Sequence, residues 1–452
     1  MRKSGAIAIA ALALLEFSVA GCSSRALPYM QTDTALRSLG GTGAGKITHI
    51  VYIVQENRSF NNLFQGYPGA YTVSSGAISS GKIVKLRPVP LSDQYVIDHS
   101  LAAMVAACNG TGKLPGTDCR MNGFDKEENF GGPFVYPEYA YVPHKDSKPY
   151  FDMAREGVLG DEMFQSQLDE SFVAHQYVVA AQAANSADLP SGAWGCGGAK
   201  GDIVPVLSSQ RTIGSKFQAP CFDYQTLGDE LDTAKLTWRF YAASYGSASS
   251  GDGGVWSSYQ AVRHIYNGPD WKKDVVSPNW KFITDVRAGK LASFTWITPV
   301  CDDSDHVNCP HGYGPSWVSA LVNTVGRSKF WDSTAIFIQW DDWGGLYDPV
   351  APKYLGRDSL GFRVPLLILS PYAKRGYVSH VQYETASVLR FAEDLWGLPQ
   401  LAAADKRATS PAGDCFDFTA QPQKFIPISA PLPPKFFMHQ YGDADYQAPD
   451  YE

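Results

Sequence analysis

The sequence predicts an α/β sandwich with a mainly parallel central sheet, from three apolar runs and two amphipathic helical patterns. The runs are apolar along most of their length, which is typical of strands covered on both faces. They span residues 49–54, 335–340 and 364–369. Helical spacing places Trp317, Leu321, Val322 and Val325 on one face, and Val388, Leu389, Ala392 and Leu395 on another. The 452 residues suffice for one large domain of this kind with insertions.

The composition supports a large core and argues against nucleic acid as the main partner. Aromatic residues make up 13% of the chain and charged residues 18%, so global disorder is not expected. The formal net charge is −7, whereas binding to a phosphate backbone requires a surplus of Lys and Arg. A small phosphorylated substrate, held by local groups and a cation, is compatible with this charge.

The N-terminus has the features of an export signal. Arg2 and Lys3 precede an apolar stretch, residues 5–15, that is too short to span a bilayer. Residues 19–22, Val-Ala-Gly-Cys, resemble a bacterial lipobox, which implies that Cys22 is lipidated and attaches the protein to a membrane. An ordinary secretory leader cleaved nearby is the alternative. Both interpretations predict export, as a lipoprotein of the periplasm or cell surface or as a secreted protein.

Four segments are expected along the chain. They are a lipoprotein signal peptide, a flexible tether, a folded body and an extended tail, at residues 1–21, 22–45, 46–400 and 401–452. The tail is expected either to pack over the body or to hang loose. Within the body, residues 70–150 and 185–300 are rich in Gly, Pro, aromatic residues and Cys, and we expect them to be insertions that form pocket walls. Four aromatic residues are candidates for the pocket lining, with a core position as the alternative: Trp194, Trp256, Tyr259 and Trp271.

Seven cysteines follow Cys22, and export is compatible with disulfides. Proximity in the sequence suggests three pairs, although pairing cannot be read from a sequence. The suggested pairs are Cys108–Cys119, Cys196–Cys221 and Cys301–Cys309, with Cys415 left over. A zinc cluster is the competing interpretation, and the absence of a CxxC pair argues against it.

Polar pairs follow two of the predicted strands. Glu56 and Asn57 come directly after the first strand, and Asp341 and Asp342 come after the second. The carboxyl ends of parallel strands meet at one edge of a sheet, and oxygen ligands suit a hard divalent cation. Adjacent carboxylates repel one another unless a cation or a proton holds them together. The alternative is that these residues are turn and helix-cap residues.

Ser171 is the candidate nucleophile because it begins a helical pattern. The positive end of a helix favours an anion, and a metal can stabilise a serine alkoxide. The alternative is a simple helix cap. His175 is one turn further along and is expected to reach the same pocket, or else to be a structural histidine.

Three other histidines are candidates in polar contexts. His99 and His306 could each donate to a phosphoryl oxygen or protonate a leaving group. His380 follows a short apolar run. Taken one at a time, each of these histidines fits a structural role better than a functional one.

Residues 55–60, Gln-Glu-Asn-Arg-Ser-Phe, closely resemble the opening motif of the bacterial phosphoesterase family that contains the non-haemolytic phospholipases C and related acid phosphatases. The resemblance covers roughly residues 47–400. Further motifs occur in the family's order: Asp98-His99-Ser100, Met121-Asn122-Gly123-Phe124-Asp125, Ser304-Asp305-His306, Asp341-Asp342-Trp343-Gly344-Gly345 and Arg363-Val364-Pro365.

The resemblance implies an alkaline-phosphatase-like three-layer α/β/α fold and hydrolysis of phosphate esters through a covalent phospho-enzyme. It implies that one divalent metal ion is held by Glu56, Asn57, Asp341 and Asp342, that Ser171 is the nucleophile, and that His99 and His306 contact phosphate. The substrate implied is a phosphorylated small molecule or a phospholipid head group.

Three positions depart from the family pattern, and each departure removes an imidazole. They are Asn61-Asn62, Asp348-Pro349 and Glu384. One alternative is therefore a surface-tethered binding protein that kept the fold and lost the chemistry. Another is a sulfatase or phosphonate-type hydrolase on the same fold, although the modification motif of sulfatases is not found near Ser171.

Overall fold

A computed structural model describes residues 41–198, 200–243, 256–357 and 360–438. The expected signal peptide, Cys22 and most of the tether lie outside the described residues. Among the described residues, no helix combines the length and the hydrophobicity needed to cross a bilayer.

An eight-stranded sheet forms the centre of the fold. Its strands, in chain order, are β1 (His49–Gln55), β2 (Val158–Gly160), β3 (Trp238–Tyr241), β4 (Val275–Val276), β5 (Phe294–Ile297), β6 (Thr334–Trp340), β7 (Leu366–Leu369) and β8 (Tyr377–Ser379). The spatial order is β4-β3-β5-β1-β6-β7-β2-β8, and only β7 runs antiparallel to its neighbours. The predicted mainly parallel sheet is therefore confirmed.

Helices connect the strands and cover the sheet. Those in the described residues are α1 (Phe60–Phe64), α2 (Leu101–Cys108), α3 (His144–Glu156), α4 (Ser171–Ala180), α5 (Leu227–Thr233), α6 (Arg263–Tyr266), α7 (Pro269–Asp274), α8 (Lys281–Arg287), α9 (Gly314–Gly326), α10 (Ala386–Trp396), α11 (Ala403–Arg407), α12 (Ala412–Cys415) and α13 (Pro434–Phe437). Short 3₁₀ helices occur at Phe124–Lys126, Ser258–Ala261, Cys301–Asp303 and Trp331–Ser333.

The helices form two groups, one on each face of the sheet. In one group α9 packs against α3, α8 and α13, and in the other α10 packs against α4 and α11. Phe337 and Trp340 of β6 are an odd number of residues apart, so their side chains point to opposite faces. Phe337 contacts Phe391 of α10, and Trp340 contacts Tyr150 of α3. The sheet lies between two helical layers, as the predicted three-layer sandwich requires.

The prediction for residues 185–300 is wrong in one respect. This segment contributes β3, β4 and β5 to the central sheet, so it is not only an insertion. The three strands have four residues or fewer. Runs this short carry too little periodicity to be recognised. They are stabilised by pairing in the sheet, where β5 pairs with β1, β3 with β5, and β4 with β3.

Small two-stranded pieces surround the central sheet. Within residues 70–150 their strands have only two or three residues, and loops connect them. These pieces pair Ser75–Ala77 with Ile83–Lys85, Arg87–Pro88 with Ala140–Tyr141, and Val96–Ile97 with Asn129–Phe130. Elsewhere, Met163–Phe164 pairs with Tyr383–Glu384, and Val204–Pro205 pairs with Phe217–Gln218.

The folded body extends beyond both predicted borders. Gly43, within the expected tether, is buried, and its carbonyl accepts hydrogen bonds from Lys46 and Ile47. The tail packs over the body up to residue 438, where the indole of Trp331 donates to the carbonyl of Gln423. The described part of the tail is therefore packed on the body, which is one of the two expected alternatives.

The three suggested disulfides are present. They join Cys108 to Cys119, Cys196 to Cys221 and Cys301 to Cys309. Cys415 is buried and forms no disulfide. These bonds support the interpretation of an oxidising environment and leave no cysteine cluster for zinc among the described residues.

Candidate active site

The register of β1 and β6 brings the two polar pairs together. Gln55 lies opposite Trp340, so the two parallel strands end level with each other. Glu56 and Asp341 are therefore neighbours at the carboxyl edge of the sheet. The backbone N–H of Asn57 donates to Asp341 Oδ1 at 3.0 Å, which joins the two strand ends directly.

The turn after β1 is held tightly against the turn after β6. Asn57 has a φ of 51°, in the left-handed region that few side chains adopt. A Cβ atom at Gly344 would overlap the backbone carbonyl of Asn57. Asp342 Oδ1 accepts from the N–H of Gly344 at 2.8 Å, which shapes the same turn. Strained backbone of this kind is common at functional sites.

Ser171 lies beside these residues, but it does not cap its helix. Helix α4 begins at Ser171, and Glu170 occupies the cap position without a side-chain capping bond. The Ser171 hydroxyl donates to Asp342 Oδ2 at 2.9 Å and accepts from Asn57 Nδ2 at 3.1 Å. The cap interpretation of Ser171 is wrong because the hydroxyl points at the strand ends.

His175 lies among the carboxylates at the strand ends. Its Nε2 is 3.0 Å from Glu56 Oε1 and 3.6 Å from Asp341 Oδ2. Ligand atoms of these three residues lie within 4.8 Å of one another, a spacing that can hold a metal ion. Sequence reasoning placed His175 in the pocket but missed it as a candidate ligand.

The residues at the strand ends fit a divalent cation. Asn57 Oδ1 and Asp341 Oδ2 are buried and have no hydrogen-bond partner among the described residues. Buried carboxylates need a compensating positive charge, because their desolvation is costly. Glu56, Asn57, Asp341 and Asp342 supply hard oxygen ligands, and His175 adds a nitrogen.

His99 contacts Asn57. Its Nδ1 donates to the carbonyl of Ile97 at 2.9 Å, so its Nε2 accepts in the neutral form. Asn57 Nδ2 lies 3.0 Å from that nitrogen. Because Asn57 Nδ2 faces His99, Asn57 Oδ1 is left to act as a ligand. The ring of His99 also lies against His306, with 5.7 Å between ring centroids.

His306 is oriented by its own loop. Its Nδ1 accepts from the N–H of Asn308 at 3.2 Å, so in the neutral imidazole Nε2 carries the proton. Trp256 stacks on the same ring, with 6.2 Å between centroids. This geometry suits His306 for hydrogen-bond donation through Nε2 better than for proton transfer, since the protonated ring would lose the Asn308 bond.

Asp305 connects the His306 loop to the strand ends. Its Oδ2 accepts from Tyr150 at 2.7 Å and from the Trp340 indole at 3.0 Å. Its backbone carbonyl accepts from Arg58 Nε at 2.6 Å, and its N–H donates to Gln55. Burial raises the pKa of Asp305 to about 6. Sequence reasoning missed this network, although Arg58 and Asp305 both belong to the motifs.

Asp305→Ala is expected to lower the free energy of unfolding by about 2–4 kcal/mol, because the Tyr150 and Trp340 donors each lose a buried acceptor. We also expect kcat/KM to fall by about 10–100-fold as the His306 loop shifts. Denaturant titration and turnover assays measure the two effects. Asp302→Ala, at an exposed carboxylate in the same loop, is the matched control and should change stability by less than about 0.5 kcal/mol. Equal effects of the two substitutions would contradict the connecting role.

The three departures from the family pattern carry structural contacts. The N–H of Asn61 donates to Asp348 Oδ2 at 3.0 Å, and Asp348 pairs with Arg363 at 3.0 Å. Glu384 pairs with Arg407 at 2.8 Å. Of the positions that lack an imidazole, Asn62 donates from Nδ2 to the carbonyl of Ala140 at 2.9 Å, and Glu384 holds the ion pair with Arg407, so both make structural contacts.

Other candidates are divided between the site and the rest of the fold. Trp194 lies 5.9 Å from His175 between ring centroids, and Trp256 stacks on His306, so both line the site. Tyr259 instead packs against Trp238, and Trp271 against Tyr266. His380 is largely exposed and its Nδ1 lies 2.9 Å from Asp161, a residue that is not among the site candidates.

The candidate site is enclosed. Its eight residues, Glu56, Asn57, His99, Ser171, His175, His306, Asp341 and Asp342, are at most 2% exposed. They come from segments up to 286 residues apart in the sequence. The arrangement places one hydroxyl, three imidazoles and a cluster of oxygen ligands in a space shielded from water, where electrostatic interactions are strong.

Comparisons with known proteins agree with this chemistry. The phosphoesterase family model matches residues 47–399. The chain is 24% identical over 404 residues to a non-hemolytic phospholipase C of Burkholderia pseudomallei, covering 77% of this chain and 55% of that protein. It is 23% identical over 402 residues to the non-specific phospholipase C1 of Arabidopsis thaliana, covering 78% and 68%. A match to phospholipase C A of Mycobacterium tuberculosis covers 47% of each chain at 24% identity.

The chain spans about half the length of the first of these relatives. Among solved structures, a protein of the alkaline phosphatase superfamily from Vibrio parahaemolyticus is similar over 83% of this chain and 74% of its own. The TM-score is 0.36 and the sequence identity is 11%.

Proposed function

The chain belongs to the phosphoesterase family, and from that premise we propose that it hydrolyses phosphate esters with Ser171 as the nucleophile. The observation that carries the proposal is the convergence of the Ser171 hydroxyl, Asn57 and Asp342. Their side chains lie within hydrogen-bond distance of one another, beside the Glu56 and Asp341 carboxylates.

Ser171 attacks phosphorus in line with the leaving oxygen. Its hydroxyl donates to Asp342 Oδ2, which directs the proton away from the attacking lone pair. The bond between Ser171 Oγ and phosphorus forms while the bond to the leaving oxygen breaks. The leaving oxygen departs with a proton, which balances the proton lost by the serine. Water then cleaves the phosphoserine and restores the hydroxyl.

Glu56, Asn57, Asp341 and Asp342 would hold one divalent metal ion. When bound, the metal supplies Lewis acidity, lowering the pKa of the hydroxyl and neutralising phosphoryl charge. His99 orients the Asn57 amide, and His306 donates through Nε2 to a phosphoryl oxygen. Ser171 also begins helix α4, whose positive end favours the incoming anion.

The substrate is a phosphorylated small molecule or the head group of a phospholipid. Trp194 lies beside His175 and Trp256 beside His306, and these aromatic rings support an organic leaving group. The relatives named as phospholipases C support a lipid substrate. The lipobox-like N-terminus supports an exported protein attached to a membrane through Cys22.

A substrate panel tests the proposal. The purified full-length protein should release the leaving group from a chromogenic phosphomonoester or phosphodiester, and chelation should remove that release. A chromogenic sulfate ester and a phosphonate ester of the same alcohol serve as controls. Faster release from either control would favour the sulfatase or phosphonate hydrolase interpretation. Binding of phosphate esters without turnover would identify the protein as a binding protein instead.

A further inference from the structure

We propose that residues 74–88, the basic hairpin, dock onto the surface of an anionic phospholipid bilayer. The basic hairpin contains the antiparallel strands Ser75–Ala77 and Ile83–Lys85. This inference concerns a surface outside the candidate active site, and none of the proposed catalytic residues contributes to it.

Side chains of the second strand alternate between the two faces. Ile83, Lys85 and Arg87 are exposed, whereas Val84 is half-buried and Leu86 is buried. Such alternation is the period of a strand with one face packed on the protein. The outer face therefore carries one large apolar side chain, Ile83, which is 63% exposed, followed by the cations Lys85 and Arg87.

The charge of this segment is opposite to that of the whole chain. Residues 71–92 contain three cations, Lys82, Lys85 and Arg87, and no acidic residue. The chain as a whole has a net charge of −7. A cationic face on an acidic protein attracts an anionic partner.

Exposed apolar side chains indicate that the partner is a bilayer. The guanidinium of Arg87 lies 4.3 Å from the ring centroid of Phe134, which places the neighbouring Val135 beside the basic hairpin. Val135 is 78% exposed. Apolar side chains gain free energy by entering the lipid interface, while neighbouring Lys and Arg bind anionic head groups. A nucleic acid or a soluble acidic protein offers no such benefit to Ile83 and Val135.

The inner face fixes the basic hairpin at the catalytic edge of the sheet. A Cβ atom at Gly76 would overlap the ring of Tyr347, which lies in the loop after Asp341 and Asp342. The hydroxyl of Tyr139 donates to the carbonyl of Ala77 at 2.7 Å. Docking through the outer face would therefore hold the candidate site close to the bilayer.

Vesicle flotation tests the docking surface without any turnover. The full-length chain is used with Cys22→Ser, so that no acyl group at that position contributes. We expect binding to vesicles of phosphatidylcholine with one quarter phosphatidylglycerol, and little binding to pure phosphatidylcholine. Lys82→Gln with Lys85→Gln should lower the partition coefficient by roughly 25-fold, at about fivefold per cation near an anionic surface. Ile83→Ser alone should lower it a few-fold.

Arg287→Gln with Lys329→Gln is the matched control. These two exposed cations line a cavity of about 510 Å³ near the amino ends of β5 and β6, away from the basic hairpin, and their loss changes the net charge equally. The control should bind anionic vesicles like the unsubstituted chain. Thermal melting verifies that each variant is folded, and Ile83→Ser remains informative if the lysine variant is not.

Several results would overturn the docking surface. One is that the lysine variant binds anionic vesicles as well as the unsubstituted chain does. Another is that the control variant loses as much binding as the lysine variant. The third is that the unsubstituted chain binds anionic and pure phosphatidylcholine vesicles equally. An effect of the lysines with none from Ile83→Ser would support docking through charge and would contradict entry of Ile83 into the lipid interface. Failure of phosphate ester hydrolysis would leave the vesicle result unaffected, so the two proposals fail separately.

Discussion

Ser171→Ala is expected to lower kcat/KM for phosphate esters by about 10⁴-fold or more. The hydroxyl at this position is the only group in the proposed mechanism that bonds to phosphorus. Its loss removes one donor to Asp342 and one acceptor from Asn57. The Asn57 and Asp342 side chains still contact each other at 3.1 Å, so we expect the fold and the metal affinity to be retained.

Rapid acid quenching followed by mass spectrometry makes the test specific. The unsubstituted enzyme should carry a phosphoryl group on the peptide containing Ser171, and the alanine variant should not. Ser319→Ala is the matched control, because it removes a buried helical hydroxyl that bonds only to the carbonyl of Pro315 among the described residues. Full turnover by Ser171→Ala would reject the assignment of the nucleophile.

Asp341→Asn is expected to lower kcat by about 10³-fold and to abolish tight metal binding. A bound metal contributes several kcal/mol of charge stabilisation in the transition state, and each 1.36 kcal/mol corresponds to a factor of ten. Asp341 also accepts the N–H of Asn57, a bond that the amide oxygen of Asn can keep. The substitution therefore changes the charge of the site more than its shape.

Stability gives a second readout for the same variant. In the metal-free protein, Glu56 and Asp341 lie within 4.8 Å of each other around His175, and two carboxylates at this spacing repel. Removing one charge should leave the metal-free protein as stable as before, or more stable. Added metal should raise Tm for the unsubstituted protein but not for Asp341→Asn, since only the former has a tight site.

The chain offers a matched control for the metal prediction. Asp232, Asp270 and Asp274 form another acidic group with similar spacing, and Asp270→Asn removes one of its charges. This variant should keep its activity, its metal content and its metal-dependent change in Tm. Activity that survives chelation, or a metal content unaffected by Asp341→Asn, would show that the catalytic metal is not held at the strand ends.

The two variants separate the steps of the proposed mechanism. Ser171→Ala should bind metal without forming a phospho-enzyme. Asp341→Asn should lose both metal binding and the phospho-enzyme. Without the metal, the Ser171 hydroxyl lacks the charge that stabilises its alkoxide. An Asp341→Asn variant that still forms a phospho-enzyme would indicate that His175 or another cation supplies that charge.

Long apolar runs determined the centre of the fold. The strands at residues 49–54 and 335–340 were predicted within one residue of β1 and β6 because both of their faces are buried, which makes them continuously apolar. The polar pairs after these strands were then expected at one sheet edge, since parallel strands end on the same side. The pairing of β1 with β6 placed them there. This part of the site follows from local sequence and from the geometry of parallel sheets.

Tertiary structure alone decided the contacts that assign roles. Strands β3, β4 and β5 are too short to show a period, so only their pairing in the sheet reveals them. Whether Ser171 caps its helix or faces Asp342, and whether His99 contacts Asn57, depends on which surfaces meet across hundreds of residues. A pattern along the chain reports which side chains are buried or polar, but hydrogen-bond partners are set by the packing of distant segments, and no local period encodes that packing.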